Sequence, residues 1–139
     1  MSEYETHEYD VIVIGAGGAG LRAAIEAARS GAKTAIICKS LLGKAHTVMA
    51  EGGAAAALGN ADDRDGWKVH FKDTMKGGKY LNNWRMAQIH AQESADRIRE
   101  LEQWGAVFDR TPAGLINQRN FGGHTYPRLA HVADSTGLE

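Results

Sequence analysis

The N-terminal part of the chain alternates between short apolar runs and an amphipathic stretch. Val11–Ile14 is a continuous apolar run of the kind that a fully buried parallel strand shows, so we predict a strand over residues 10–14. The Ala-rich residues 19–30 predict a helix, and residues 33–38 predict a second strand. The helix has its apolar residues on one face: Leu21, Ala24, Ile25 and Ala28. Together these elements predict a βαβ unit.

A glycine-rich loop, GAGGAG, joins the first strand to the helix at residues 15–20. In the pattern G-x-G-x-x-G, the first glycine (Gly15) permits a tight turn and the second (Gly17) lets the backbone approach phosphates. The third, Gly20, lets helix and strand pack closely. The free N–H groups and the positive dipole end of the helix then face the anion. Because a strand precedes the loop and a helix follows it, we interpret it as a dinucleotide pyrophosphate site rather than a ligand-free turn.

The rest of the chain predicts two further helices and a small β excursion. Asp65 is a candidate N-cap for a helix over residues 66–76, and Asn82 or Asn83 for a helix that ends near Trp104. An apolar stripe on the longer helix is assigned to the core: Met86, Ile89, Ile98, Leu101 and Trp104. Residues 107–118 predict a hairpin, and DSTG at 134–137 predicts a helix start. The small residues at 50–60 fit either close approach to a flat ligand or a turn that opens a short helix.

Composition narrows the class of protein. The 139 residues include 16 basic and 17 acidic side chains, for a formal charge of −1, which gives no reason to expect a nucleic-acid partner. The single cysteine, Cys38, excludes an internal disulfide and a cysteine-only zinc site, and its apolar context predicts a buried core position. No apolar segment has the length of a membrane span, and the acidic N-terminus does not resemble a targeting segment. We therefore expect a cytoplasmic protein with no metal site.

The residues after the second strand decide which dinucleotide is expected. An NAD site usually has an acidic residue about 20 positions beyond the glycines, but between Gly20 and Glu51 the only acid is Glu26, within the helix. Lys39 and Ser40 occupy the strand end instead. Lys39 suits either the 2′-phosphate of NADP or part of a flavin dinucleotide, so both alternatives remain at this point.

Four segments then carry a resemblance to a known family. They are KSLLGKAHTVMAEGG (39–53), DTMKGGKYL (73–81), ELEQWGAVFDRTPAGLINQRNFGGHT (100–125) and DSTG (134–137). In this order they resemble the flavoprotein subunit of succinate dehydrogenase and fumarate reductase. The resemblance implies an α/β, Rossmann-like FAD-binding domain, of which residues 1–139 are the N-terminal portion without the capping and C-terminal domains. It also implies that no catalytic residue lies in this chain.

The resemblance implies specific cofactor contacts. We call residues 39–53 the linkage segment. In the family its histidine, here His46, bonds covalently to the 8α carbon of the flavin, and a neutral imidazole nitrogen is a competent nucleophile for that bond. A carboxylate at Glu51, where succinate dehydrogenases typically carry Gln, would disfavour an anionic reduced flavin and hints at fumarate reduction. The implied FAD contacts are Gly15, Ala16, Gly17, Gly18, Ala19, Gly20, Lys39, Ser40, Ala45, His46, Thr47, Glu51, Gly52 and Gly53.

The implied activity is hydride transfer between succinate or fumarate and the flavin. Electrons would then pass to an iron–sulfur subunit, and from there to a quinone-binding membrane anchor, which would hold the protein at the cytoplasmic face of the inner membrane. Two other hypotheses stay open: a FAD-binding module without activity of its own, and an NAD(P) dehydrogenase supported only by Lys39. We expect His7, His70 and His90 to be ordinary side chains without a role at the cofactor. His124 and His131 are lesser candidates for a position that faces the flavin site.

Overall fold

The protein is described by a computed structural model over residues 4–139, which fall into two compact units. The first unit comprises the chain up to residue 49 with residue 138, and the second comprises residues 50–137 with residue 139. The described elements run β1 (Val11–Ile14), α1 (Gly18–Arg29), β2 (Thr34–Ile37), a 3₁₀ helix (His46–Met49), β3 (Ala54–Ala55), α2 (Trp67–Gly77), α3 (Trp84–Gln103), β4 (Gln118–Arg119) and β5 (Leu129–Ala130).

The first unit is the predicted βαβ arrangement. Strands β1 and β2 pair in parallel, with Val11 opposite Thr34 and Ile14 opposite Ile37. The observed bounds of β1, α1 and β2 lie within one residue of the predicted bounds. The prediction of a fully buried first strand is wrong, because Ile12 and Ile14 are exposed and the burial of β1 alternates. One face of this two-stranded sheet is therefore open to solvent.

Two helices and a small antiparallel sheet build the second unit. β5 lies between β3 and β4, and Ala130 is the Cα partner of both Ala54 and Gln118. The apolar core consists of Ala56, Ile98, Phe108, Ile116 and Ala130. The small residues at 54–55 thus form a strand rather than opening a helix. The predicted hairpin is confirmed as a short antiparallel return, in which Arg110 bridges Ile116 and the Thr111 N–H donates to the Leu115 carbonyl.

Helix α3 has a different inner face from the predicted one. Its buried residues are Ala87, Ala91, Ser94 and Ile98, spaced by three or four positions. Of the predicted stripe only Ile98 is buried, whereas Met86, Ile89, Leu101 and Trp104 are exposed. Small side chains therefore face inward along most of α3, and the larger apolar ones face outward.

The predicted helix ends are partly confirmed. Asn83 caps α3, since its side-chain oxygen accepts from the N–H groups of Arg85 and Met86. Asp65 does not cap α2; Gly66 holds the N-cap position without a side-chain bond, and the Asp65 carboxylate is buried against Arg128. No helix begins at 134–137 within the described residues, where the chain forms turns.

Candidate cofactor-binding site

The glycine loop in the first unit is shaped by close contact between its own ends. Gly15 adopts φ +105°, a left-handed conformation that favours glycine, and its N–H donates to the Ile37 carbonyl at 2.8 Å. A Cβ on Gly20 would lie 2.0 Å from the Gly15 carbonyl oxygen, so only glycine fits at the third position. The N-cap of α1 is Gly17, which supplies no side-chain bond. The start of α1 therefore presents backbone rather than side chains, as a pyrophosphate site requires.

Thr47 joins the linkage segment to this loop. Its Oγ1 accepts a 2.9 Å hydrogen bond from the Gly18 N–H, at the first residue of α1. A Cβ on Gly17 would lie 3.3 Å from Thr47 Oγ1 and 3.9 Å from the Cβ of Ala45. The structure thus brings Ala45 and Thr47 against the glycine loop, with exposed His46 between them at the start of the 3₁₀ helix. The residues present fit a dinucleotide, because the loop is bare backbone and a nucleophilic side chain stands next to it.

The residues after β2 are exposed. Lys39 and Ser40 both lie on the surface, where a ligand could reach them. Cys38 is also exposed, and its Sγ lies 2.8 Å from the Ser40 carbonyl oxygen, so the prediction of a buried core cysteine is wrong. The physical reason is that β2 ends at Ile37, which leaves Cys38 in the loop beyond the sheet.

The other predicted contacts, Glu51, Gly52 and Gly53, belong to the second unit. Gly53 has φ +113°, and a Cβ there would lie 2.6 Å from the Ala130 carbonyl oxygen, so the position requires glycine. Arg119 donates through Nε to the Gly52 carbonyl and through a terminal nitrogen to the Glu51 carbonyl, each at 3.1 Å. No local sequence signal marks Arg119, because these contacts span 67 and 68 positions.

A buried charge cluster forms a further part of the second unit that the sequence did not reveal. The fully buried Arg128 contacts the Asp65 carboxylate at 2.9 Å and the Asp73 carboxylate at 2.8 Å. Burial raises the pKa of Asp65. The pKa of Asp73 is lowered in spite of burial, because Thr125 donates to it from both its backbone N–H and its hydroxyl and Arg128 supplies positive charge. This cluster ties α2 to the segment before β5.

The charges of this cluster act on two histidines, His70 and His124. Burial, followed by the charge of Arg128, lowers the pKa of His70 to about 4, and the same causes lower the pKa of His124. The His70 ring meets the His90 ring edge-on, with centroids 5.1 Å apart. His131 is buried with Nδ1 2.8 Å from Asp109 Oδ2, although the two groups are not aligned for a hydrogen bond. Among the described residues, no cluster of His, Cys, Asp and Glu could hold a metal ion.

Comparison with known proteins identifies the family of the chain. The family described as FAD binding domain matches residues 10–139. The chain belongs to this FAD-binding family. Between the alternatives that Lys39 left open, the match favours the flavin dinucleotide over NADP. It also confirms the α/β, Rossmann-like FAD-binding fold, which matches the N-terminal part of such flavoproteins.

Individual relatives narrow the family further. The chain is 48% identical to a fumarate reductase (CoM/CoB) protein from Methanothermobacter marburgensis, over 99% of this chain and 25% of that protein. It is 46% identical to the succinate dehydrogenase flavoprotein subunit of Rickettsia felis, over 94% of this chain and 23% of that protein. The chain is thus homologous to succinate dehydrogenase and fumarate reductase flavoprotein subunits, and spans about a quarter of their length.

Solved structures of the same flavoprotein subunits superpose closely on this chain. The Sdh1 of Mycobacterium smegmatis, solved in complex with UQ1, superposes with a TM-score of 0.92 at 70% identity, covering 95% of this chain and 22% of that one. FrdA of E. coli quinol fumarate reductase gives a TM-score of 0.89 at 41% identity, covering 97% of this chain and 23% of that one.

None of the helices described between residues 4 and 139 has the length and apolar character that a membrane span needs.

Proposed function

We propose that this chain is part of the flavoprotein subunit of a succinate dehydrogenase or fumarate reductase, with FAD bound covalently through His46. The observation that carries the proposal is the hydrogen bond from the Gly18 N–H to Thr47, which fixes the residue next to His46 at the pyrophosphate loop. One cofactor could then be held by its phosphates at the loop and by its flavin ring at His46. The homology to flavoprotein subunits of both enzymes supports this assignment.

Each group of residues has a defined task in this proposal. Backbone N–H groups at the start of α1, together with the helix dipole, hold the pyrophosphate. The exposed imidazole of His46 would hold the flavin ring in place through a covalent bond to its 8α carbon. Bound FAD supplies the hydride acceptor or donor for the exchange with succinate or fumarate. The resemblance to the family adds the Glu51 carboxylate, which would oppose negative charge on a reduced flavin.

Partner subunits complete the proposed function. Electrons would pass to an iron–sulfur subunit, then to a quinone, and a membrane anchor would hold the assembly at the cytoplasmic face of the inner membrane. The structural relatives support the quinone in this proposal, since one was solved in complex with UQ1 and another with menaquinol molecules. These partners are inferred for the whole protein.

The covalent link can be tested with His46→Ser in the chain expressed with its natural downstream sequence. The wild type should give a denatured gel band that fluoresces as flavin, and His46→Ser should abolish this fluorescence. His7→Ser is a matched control, because His7 is an exposed histidine outside the linkage segment. Fluorescence that persists in His46→Ser would exclude the covalent assignment.

The alternative function is a FAD-binding module without activity of its own. It is favoured by one observation: every residue of this chain to which the family resemblance gives a role is a cofactor contact and none is catalytic. Adding succinate to the purified flavin-loaded protein separates the two. Bleaching of the flavin absorbance supports the oxidoreductase, whereas bound flavin that succinate does not reduce supports the module.

A further inference from the structure

Helix α2 presents a row of lysines to solvent. Between residues 68 and 76 its exposed side chains are Lys68, Lys72 and Lys76, and the exposed Lys79 follows in the turn beyond the helix. Spacing by four positions places the three helical lysines on one side of α2. Like charges at this spacing repel each other, and the favourable C-terminal end of the helix dipole reaches Lys76 alone among the three. The row therefore weakens the helix that carries it.

The acidic residues beside this row do not neutralise it. Residues 66–92 contain five of the 16 basic side chains of the chain and one of its 17 acidic ones, Asp73. Asp73 and Asp65, which precedes the helix, both contact Arg128 in the interior. Within residues 4–139, none of the four lysines forms an ion pair. The row is thus an uncompensated positive stripe on a chain whose formal charge is −1.

The turn after α2 holds two large side chains in water. Tyr80 is 71% exposed and Leu81 is 90% exposed. Lys79 and Tyr80 both adopt left-handed backbone conformations, with φ of 53° and 60°, which cost free energy for residues other than glycine. The turn is nevertheless fixed, because the Tyr80 N–H donates to the Met75 carbonyl at 2.9 Å and the Lys79 N–H to the Lys76 carbonyl at 3.0 Å. Backbone strain and exposed apolar area are therefore combined at one turn, next to the last lysines of the row.

We propose that these residues form a docking site for an acidic face of another protein subunit of the same complex. We call them the α2 surface: Lys68, Lys72, Lys76, Lys79, Tyr80 and Leu81. Carboxylates on the partner would meet the lysines, and a pocket on the partner would take up Tyr80 and Leu81. The inference rests on the proposed function, since that function supplies the other subunits.

The chemistry of the α2 surface favours a protein partner over a membrane. A helix that binds a bilayer inserts an apolar face, whereas the exposed positions of α2 between residues 68 and 76 are all lysine. The apolar side chains project instead from a turn with a fixed backbone, as anchors that fill a pocket do. All six residues belong to the second unit, so the surface is complete within that unit.

Hydroxyl-radical footprinting of the Tyr80 side chain tests the docking site. The full-length flavoprotein is labelled alone and in the detergent-solubilised complex with its natural partner subunits. We expect rapid modification of Tyr80 in the isolated flavoprotein and loss of that modification in the complex. Equally fast modification in both states overturns the proposal. So does protection in the isolated flavoprotein, by a later segment of the chain or by a second copy. Protection that appears only when vesicles containing phosphatidylglycerol are added overturns it in favour of a membrane.

Lys72→Glu tests the charge of the α2 surface without weakening the fold. Glutamate at position 72 lies four positions from both Lys68 and Lys76, so it forms favourable pairs along α2 and the melting temperature should not fall. The NaCl concentration that releases half of the flavoprotein from the other subunits should decrease at least about twofold. Lys33→Glu, at an exposed lysine of the first unit, is the matched control and should behave as the wild type. Equal release for Lys72→Glu and the wild type overturns the proposal.

Failure of the proposed function gives a different result. That function is contradicted when the full-length protein holds no covalent flavin, or when succinate does not reduce the flavin. The α2 surface is judged instead from the protection of Tyr80 and from the release of the flavoprotein by salt.

Discussion

The hydroxyl oxygen of Thr47 accepts a 2.9 Å hydrogen bond from the backbone N–H of Gly18. One of the N-terminal amides of α1, which have no partner inside the helix, is thereby bound to the residue that follows His46. The linkage segment and the glycine loop are therefore coupled directly through the protein chain.

Replacing Thr47 by Val should slow flavin attachment. Valine keeps the volume of threonine but removes the acceptor, and a hydrogen bond of this kind contributes about 0.5–1.5 kcal/mol, or about two- to tenfold in rate or affinity. The measurement is the initial rate at which the full-length apoprotein gains covalent flavin fluorescence. Thr47→Ser keeps the hydroxyl and should react at close to the wild-type rate. Equal attachment rates for the Val and Ser variants would show that the Thr47 hydroxyl does not contribute to flavin attachment.

Gly20→Ala should destabilise the chain. The new Cβ would lie 2.0 Å from the backbone oxygen of Gly15, which cannot move as a flexible side chain could. Overpacking of this kind costs about 1–3 kcal/mol, and a lower melting temperature of the apoprotein would report it. Gly122→Ala is the control, because a Cβ there meets no atom within 4 Å. If both variants melted at the wild-type temperature, the loop would not be as close-packed as described.

Arg128→Met should be among the most destabilising substitutions. It would leave the buried Asp65 carboxylate and the largely buried Asp73 carboxylate without their cation. Breaking a buried pair from one side costs about 3–5 kcal/mol, measurable as the free energy of unfolding in urea. For Arg99→Met, which removes a cation from the exposed pair with Asp96, the expected loss is about 0–1 kcal/mol. Similar losses for the two variants would contradict the burial of the cluster.

Acid should weaken the fold through His70. Its pKa is lowered from 6.5 to about 4 in the folded chain, first by burial and then by Arg128. Above pH 6.5 neither state binds the proton. Between about pH 6.5 and pH 4 only the unfolded chain binds the proton. The free energy of unfolding therefore decreases as the pH is lowered through this range, by up to about 1.4 kcal/mol per pH unit. Below about pH 4 both states bind it and this contribution is lost.

The comparison of His70→Gln with wild type in urea at pH 7 and pH 5 isolates this effect. The stability lost between the two pH values should be smaller in the variant, since glutamine does not titrate. His7→Gln, at an exposed position, should lose as much as the wild type. A variant at position 70 with the full wild-type loss would show that His70 does not carry it.

Elements with local signals can be predicted from the sequence. The apolar run of β1, the three glycines and the capping amide of Asn83 each specify a conformation within a few residues, and the structure confirms those elements. The large apolar residues of α3 predict the wrong inner face for that helix. Its inward positions are instead Ala87, Ala91 and Ser94, whose small size allows close packing.

Other features depend on partners distant in sequence. Asp65 has the residue type and position of an N-cap, yet the cation of Arg128, 63 positions away, holds its carboxylate in the interior. Arg119 is likewise a residue type that is typical of exposed loops, yet it donates hydrogen bonds to carbonyls more than 60 positions away. Periodicity and propensity describe neighbours along the chain, so neither could reveal these two arginines.

Apolar burial is uneven between the two units. The five residues of the core cluster all belong to the second unit, whereas the buried apolar residues described in the first are Ala16 and Ala24. A region with so little buried area opens locally at small cost. A dinucleotide at a hundred times its dissociation constant would add about 2.7 kcal/mol to the folded form. Binding of a dinucleotide would therefore protect the first unit from local opening and from proteases that cut opened chains.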